Sequence, residues 1–215
     1  TISQPDDGTI TNQESIEFLG TVVDTNLLLF AIDGNIINVA PDGSFSASIL
    51  LHEGNNSLFV LARDEVFNEY STTVNVTRDT QPPQISISSP SDGAIFNDPN
   101  ITVQGTASDS GTGIAGLTVN GSNVSLSGDS YSTNLVLALG TSSIEVVATD
   151  NAGNTASSQI SVTYEEQAQT PELEITYPPE GFLTNAPSIV VTGTIVGDVA
   201  KIVALAGNAA SRTVY

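Results

Sequence analysis

The chain has 215 residues and carries 24 acidic side chains against 4 basic ones, a formal net charge of -20. The basic residues Arg63, Arg78, Lys201 and Arg212 do not cluster, which leaves no footprint for nucleic acid and repels anionic lipid; such a surface favours solubility and cation capture instead. Apolar runs are too short for a membrane-crossing helix, so no direct membrane insertion is expected, and the absence of cysteine removes disulfides and thiolate metal sites.

Along the chain the apolar residues recur with period two, the period of a strand. Ile16, Phe18 and Val22 come first, then Phe45, Ala47, Ile49 and Leu51, then Leu58, Val60 and Ala62. The pattern resumes at Ile101 and Val103, and continues through Leu135 and Leu137, through Ile144, Val146 and Ala148, and through Ile160, Val162 and Tyr164. No stretch sustains a 3.6-residue period, so no helix is expected. Asp33-Gly34 and Asn120-Gly121 read as two-residue hairpin turns, whose central residues both need positive φ. Asp42-Gly43 and Gly128-Asp129 mark a second pair of turns.

These runs belong to a repeat. The segments PDDGTITNQESIEFLGTVVD, PSDGAIFNDPNITVQGTASD and PPEGFLTNAPSIVVTGTIVGD align, and their glycines Gly8, Gly93 and Gly181 lie 85 and 88 residues apart. Gly20, Gly105 and Gly193 keep the same spacing. Further on, Phe45 matches Tyr131, Gly54 matches Gly140, Asp64 matches Asp150 and Asn68 matches Asn154. About seven short strands per repeat is the size of an immunoglobulin-like sandwich. The fold expected is therefore all-β: tandem immunoglobulin-like β-sandwich domains with an incomplete third. Residues 1–80 make the first domain, its first strand truncated; 81–166 make the second; 167–215 make the first half of a third. RDTQPPQ, with Pro82-Pro83, reads as a short stiff linker, and EEQAQTPE as a longer acidic one. On this register the chain starts and ends inside domains. Two explanations stay open: a portion of a longer protein, or a subunit whose last domain is completed by a neighbour's strand over Ile195 to Tyr215.

The second repeat contains GTASD at a strand end, VNG at a hairpin, the step at Gly140, and ATDNAGN before the last strand. In these it resembles the bacterial Ig-like domains found in large surface adhesins and as accessory domains of secreted glycoside hydrolases such as glucodextranase. The first repeat departs from the pattern, with ARDEVFNEYS keeping Asp64 and Asn68 but not the Asn-Ala-Gly centre. The resemblance implies an Ig-like fold, an extracellular or cell-surface location, and a role as spacer, adhesive or structural module.

The candidate site is a calcium site at the joints. An Ig-like topology gathers the relevant loops at one pole, which brings Asp109 toward Asp150, Asn151 and Asn154, and Asp24 toward Asp64 and Asn68. Calcium takes carboxylate and carbonyl oxygens from flexible loops. Asp79, or Glu165 and Glu166, is placed to add oxygens, and Asp198 opens a third such group. The competing reading is plain turn chemistry, because Asp and Asn bond their own backbone. For catalysis, His52 is the one histidine and lies beside Glu53 in a polar loop, with nothing resembling a nucleophile elbow nearby; no catalytic site is expected. Phe59, Phe67 and Tyr70 are candidates for glycan contact. Lys201, the sole lysine, leaves the first two repeats unable to form lysine–asparagine cross-links. The functions that follow are a spacer or adhesive module of a surface protein or filament, an accessory module of a secreted polysaccharide-active enzyme, or a filament subunit. Partners would be neighbouring domains, other subunits or glycan.

Overall fold

The computed structural model describes residues 1–167 and 171–197, and the backbone of 202–204 and 212–214. Each of the first two repeats splits its first strand between two sheets. In the first domain, β1 (Ile2–Gln4) pairs with β3 (Ser15–Thr21), which pairs with β6 (Ser44–Leu50). The facing sheet has β2 (Thr9–Thr11) parallel to β8 (Glu69–Arg78), then β7 (Gly54–Asp64), β4 (Leu27–Ile32) and β5 (Asn35–Ile36). The alternation read in the sequence fills the space between the sheets. Phe18, Phe45, Ile49, Leu58, Val60, Val74 and Val76 are all buried there, and the Phe30 and Phe45 rings meet at 4.5 Å.

The second domain repeats this plan. One sheet holds β9 (Gln84–Ser89), β11 (Asn100–Ser108), β15 (Ser130–Val136) and the short β14 (Leu126–Ser127). The other holds β10 (Ala94–Phe96), β17 (Thr155–Tyr164), β16 (Gly140–Asp150), β12 (Ile114–Val119) and β13 (Ser122–Asn123). Ile101, Val103, Leu117, Val119, Ile144, Val146 and Val162 form its core. The hairpin turns have the backbone their residues announce, with positive φ at Asp33, Gly34, Asn120 and Gly121. No helix occurs among the described residues.

The repeated glycine has a steric reason. A Cβ at Gly20 would collide with the Thr1 carbonyl and the Phe45 ring; at Gly105 with the Ser86 carbonyl and Tyr131; at Gly193 with the Glu174 carbonyl. Each faces a register shift where the first strand crosses it. Tyr131 uses the spot differently from Phe45: its hydroxyl donates to the Ser86 carbonyl at 3.0 Å, and burial pushes its phenol above the ordinary value.

Residues 1–165 form one unit and 166–215 a second. Within the second, β18 (Glu172–Tyr177) pairs antiparallel with β19 (Thr192–Val196), and β20 (Ile202–Ala204) with β21 (Arg212–Val214). The Tyr177 and Phe182 rings meet at 5.6 Å, tilted by 55°. Asp198 and Lys201 lie outside the described residues. No described helix is long and apolar enough to cross a membrane.

Candidate functional site

Three carboxylates meet where the first domain hands over to the second. Asp79 follows β8, its N–H donating to the Thr11 carbonyl at 3.0 Å. Asp109 follows β11, and Asp150 ends β16. Each offers an oxygen within 4.8 Å of the other two. Opposite ligands on one calcium, at about 2.3–2.6 Å each, span about the same distance. Asp79 is 3% exposed and Asp150 1%. Neither ion pair among the described residues, Arg63–Glu69 or Arg78–Glu53, involves any of the three.

Local hydrogen bonds hold each carboxylate in place. Asp109 Oδ1 accepts from the amides of Gly111, Thr112 and Gly113 at 3.0, 2.8 and 2.9 Å. Asp150 accepts from the Asn154 amide and from Asn154 Nδ2, both at 2.8 Å. Asp79 accepts from the Gln81 amide at 3.0 Å and from the Thr112 hydroxyl at 2.8 Å, the latter crossing between domains. The set consists of anionic oxygens, which suits a hard cation and no thiophilic metal.

The asparagines do something else. Asn154 Nδ2 also donates to the carbonyls of Asp79 at 2.8 Å and Gln81 at 3.4 Å, while its Oδ1 accepts from Asn12 Nδ2 at 3.2 Å. Its amide therefore rivets the linker and the Thr11–Gln13 turn to the second domain. Asn151 Nδ2 donates to the carbonyls of Thr112 and Gly113 at 2.7 and 3.3 Å, fixing the loop after Asp109. Asn12 and Thr112 are not singled out by the sequence; Asn12 is signalled only by its repeat partners Asn97 and Asn185.

In the first domain Asp64 and Asn68 form the same clasp, at 2.8 Å to the amide and 2.7 Å to Nδ2. The Asn68 side chain is the main reason the Asp64 carboxyl is held below its ordinary value. Asp24 caps its own turn through the Asn26 amide at 2.7 Å. No third carboxylate joins this pair among the described residues. Of the acidic residues placed to add oxygens, Asp79 is the one in the cluster; Glu165 occupies its place in the second repeat, with its N–H donating to the Phe96 carbonyl at 2.9 Å.

The three aromatic candidates do not share a surface. Phe59 is exposed between buried Leu58 and Val60, on the outer face of β7. Tyr70 pairs with Ala62 and points to the inner side, at the rim of a crevice between the sheets. Phe67 sits at the hairpin tip with φ 68°. His52 is an exposed loop residue whose amide bonds Asn56 Oδ1 at 2.8 Å.

Comparison with known proteins adds a family and a fold. The family model described as glucodextranase, domain B matches residues 1–80 and again 83–166. A curated relative, bacillopeptidase F of Bacillus subtilis (strain 168), is 31% identical over 157 residues, covering 71% of this chain but only 11% of that protein. Among solved structures, the fibronectin(III)-like modules of Clostridium thermocellum CbhA align with a TM-score of 0.50 at 18% identity, covering 77% of this chain and 94% of theirs.

Proposed function

Because the chain belongs to the glucodextranase domain B family, we propose that it is a non-catalytic, extracellular spacer module whose first two domains are held end to end by a joint that calcium stiffens. The observation that carries this reading is the convergence of Asp79, Asp109 and Asp150 from the linker and two loops of the second domain, two of them buried and none paired with a base. Two carboxylates within 4.8 Å of each other repel by about 3.5 kcal/mol or more at an effective dielectric near 20. A divalent cation would convert that repulsion into attraction.

Its ligands would be the three carboxylates, with Asn154 holding the linker carbonyls beside them. The cation would supply charge neutralisation; the protein supplies the fixed frame. The interdomain bonds Thr112–Asp79, Asn154–Asp79 and Asn12–Asn154 support a joint that resists bending. Calorimetric titration of the whole chain with calcium, in chelexed buffer, tests the metal: one site with measurable heat is expected, and no heat with no change in melting temperature would overturn it. Spin-label distances between the two domains test the spacer reading. A narrow distribution is expected, and a broad one would remove it whether or not metal binds.

A second reading is an accessory module of a secreted enzyme acting on polysaccharide, supported by the printed name of the matched family. The separated positions of Phe59, Phe67 and Tyr70 favour the spacer over a glycan platform.

A further inference from the structure

Asn120 is the one asparagine in the chain that a glycine follows. Asn120 and Gly121 are the two central residues of the hairpin between β12 and β13, with φ of 47° and 77°, and both are exposed to water. Gly121 leaves its own amide unshielded. It has no Cβ, nothing stands within 4 Å of where one would be, and its N–H donates to no carbonyl among the described residues. That nitrogen is placed as an internal nucleophile for the Asn120 carboxamide. It loses its proton to hydroxide and attacks Cγ, the Cγ–Nδ2 bond breaks, ammonia leaves with a proton from water, and a succinimide ring closes. Water then opens the ring at either carbonyl, giving aspartate or isoaspartate. Water and hydroxide are the sole reagents.

The folded hairpin holds this reaction off. The Asn120 N–H donates to the Glu145 carbonyl at 2.9 Å, and the Glu145 N–H donates back to Asn120 Oδ1 at 2.8 Å. Asn120 Nδ2 donates to the Ser143 carbonyl at 3.5 Å. Ser143 and Glu145 belong to β16, which is flanked by β12 and β17 inside its sheet. The carboxamide is thus tied across to an interior strand instead of lying over the Gly121 nitrogen. Cγ reaches that nitrogen only after these bonds part and Asn120 leaves its left-handed backbone, which is a local opening of the hairpin.

The first repeat shows that the fold takes the product. There Asp33-Gly34 makes the same turn, with φ of 45° and 78°, and the Asp33 N–H donates to the Phe59 carbonyl at 2.7 Å as Asn120 does to Glu145. Aspartate at position 120 keeps an oxygen for the Glu145 N–H, now charge-assisted, and gives up only the long bond to Ser143. Isoaspartate instead adds a methylene to the backbone, which puts the pairs Val119–Ser122 and Thr118–Asn123 out of step.

We propose that Asn120-Gly121 is a site of spontaneous deamidation gated by opening of the β12–β13 hairpin. Each conversion is one-way and adds a negative charge at the hairpin tip, so the second domain keeps a permanent record of its own local opening.

The test uses the full 215-residue chain, aged at mildly alkaline pH in ¹⁸O-labelled water, folded and in urea, with peptide mass mapping to locate the incorporated label. In urea, Asn120 should convert ahead of every other asparagine. In the folded chain its conversion should be at least about tenfold slower. A chain made with Asn120→Asp should melt within about 4 °C of the parent. Equal rates in the two states would overturn the gate, and earlier conversion of another asparagine in urea would overturn the site. A larger fall in melting temperature for Asn120→Asp would overturn the claim that the fold takes the product.

Discussion

Replacing Asp79 with Asn separates the metal reading from the plain turn reading by sign. Asp79 lies within 4.8 Å of two other carboxylates, so the substitution removes two repulsions of about 3.5 kcal/mol each at an effective dielectric near 20. Half of that is discounted for solvent reaching the joint beside half-exposed Asp109. The bonds from the Gln81 amide and the Thr112 hydroxyl survive but lose charge assistance, about 1 kcal/mol apiece. The remainder is a stabilisation of about 1.5 kcal/mol, or about 3–6 °C for a unit of this size. In calcium the order should invert. At free calcium one hundred times Kd the parent gains about 2.7 kcal/mol, about 5–11 °C, and the variant far less. Scanning calorimetry of Asp79→Asn and the parent, with chelator and with calcium, reads both numbers. A variant that melts lower than the parent in chelator, alongside a parent indifferent to calcium, would refute the electrostatic argument.

Asn56 is buried and bonds His52 N, His52 O, Gly54 O and Val76 O; Asn56→Ala should cost about 2–3 kcal/mol in urea unfolding by stranding those groups. Gly105→Ala drives a methyl into the Ser86 carbonyl and Tyr131, and should lower stability by about 1–3 kcal/mol while Gly121→Ala, with open space around it, acts only through its positive φ. Asp64 is held below its ordinary value of 3.8 mainly by Asn68. Its charged form is therefore favoured in the fold, so the clasp contributes above about pH 4 and is lost as pH falls through the lowered value. Carboxyl NMR titration should show Asn68→Ala moving Asp64 back up.

Much of the sandwich was legible because strand alternation and turn chemistry are local. Phe18, Val60, Val103 and Ile144 are buried where the period of two puts them. Gly20, Gly105 and Gly193 were visible as a spacing, but the cause of the spacing, a carbonyl pressed against each Cα, exists only once the first strand has crossed. The site divided the same way. Asp109 and Asp150 could be paired from topology, since both end strands at one pole. The roles of Asn151 and Asn154 could not, because an amide that ligates and an amide that rivets a linker look alike in sequence. Asp79 was legible only as an alternative to Glu165 and Glu166 near the pole; the domain-to-domain contact is what puts it in the cluster.

The split first strand has a mechanical consequence. The strands β2 and β8, and likewise β10 and β17, lie parallel, with Thr9 beside Val76 and Ala94 beside Val162. Tension on the chain pulls the earlier strand of each pair backward from its start and the later one forward from its end. The two then slide along each other instead of peeling apart. All the ladder bonds between them are loaded together, none can yield before the rest, and each domain closes under pull with a shear lock at the point where force enters and leaves.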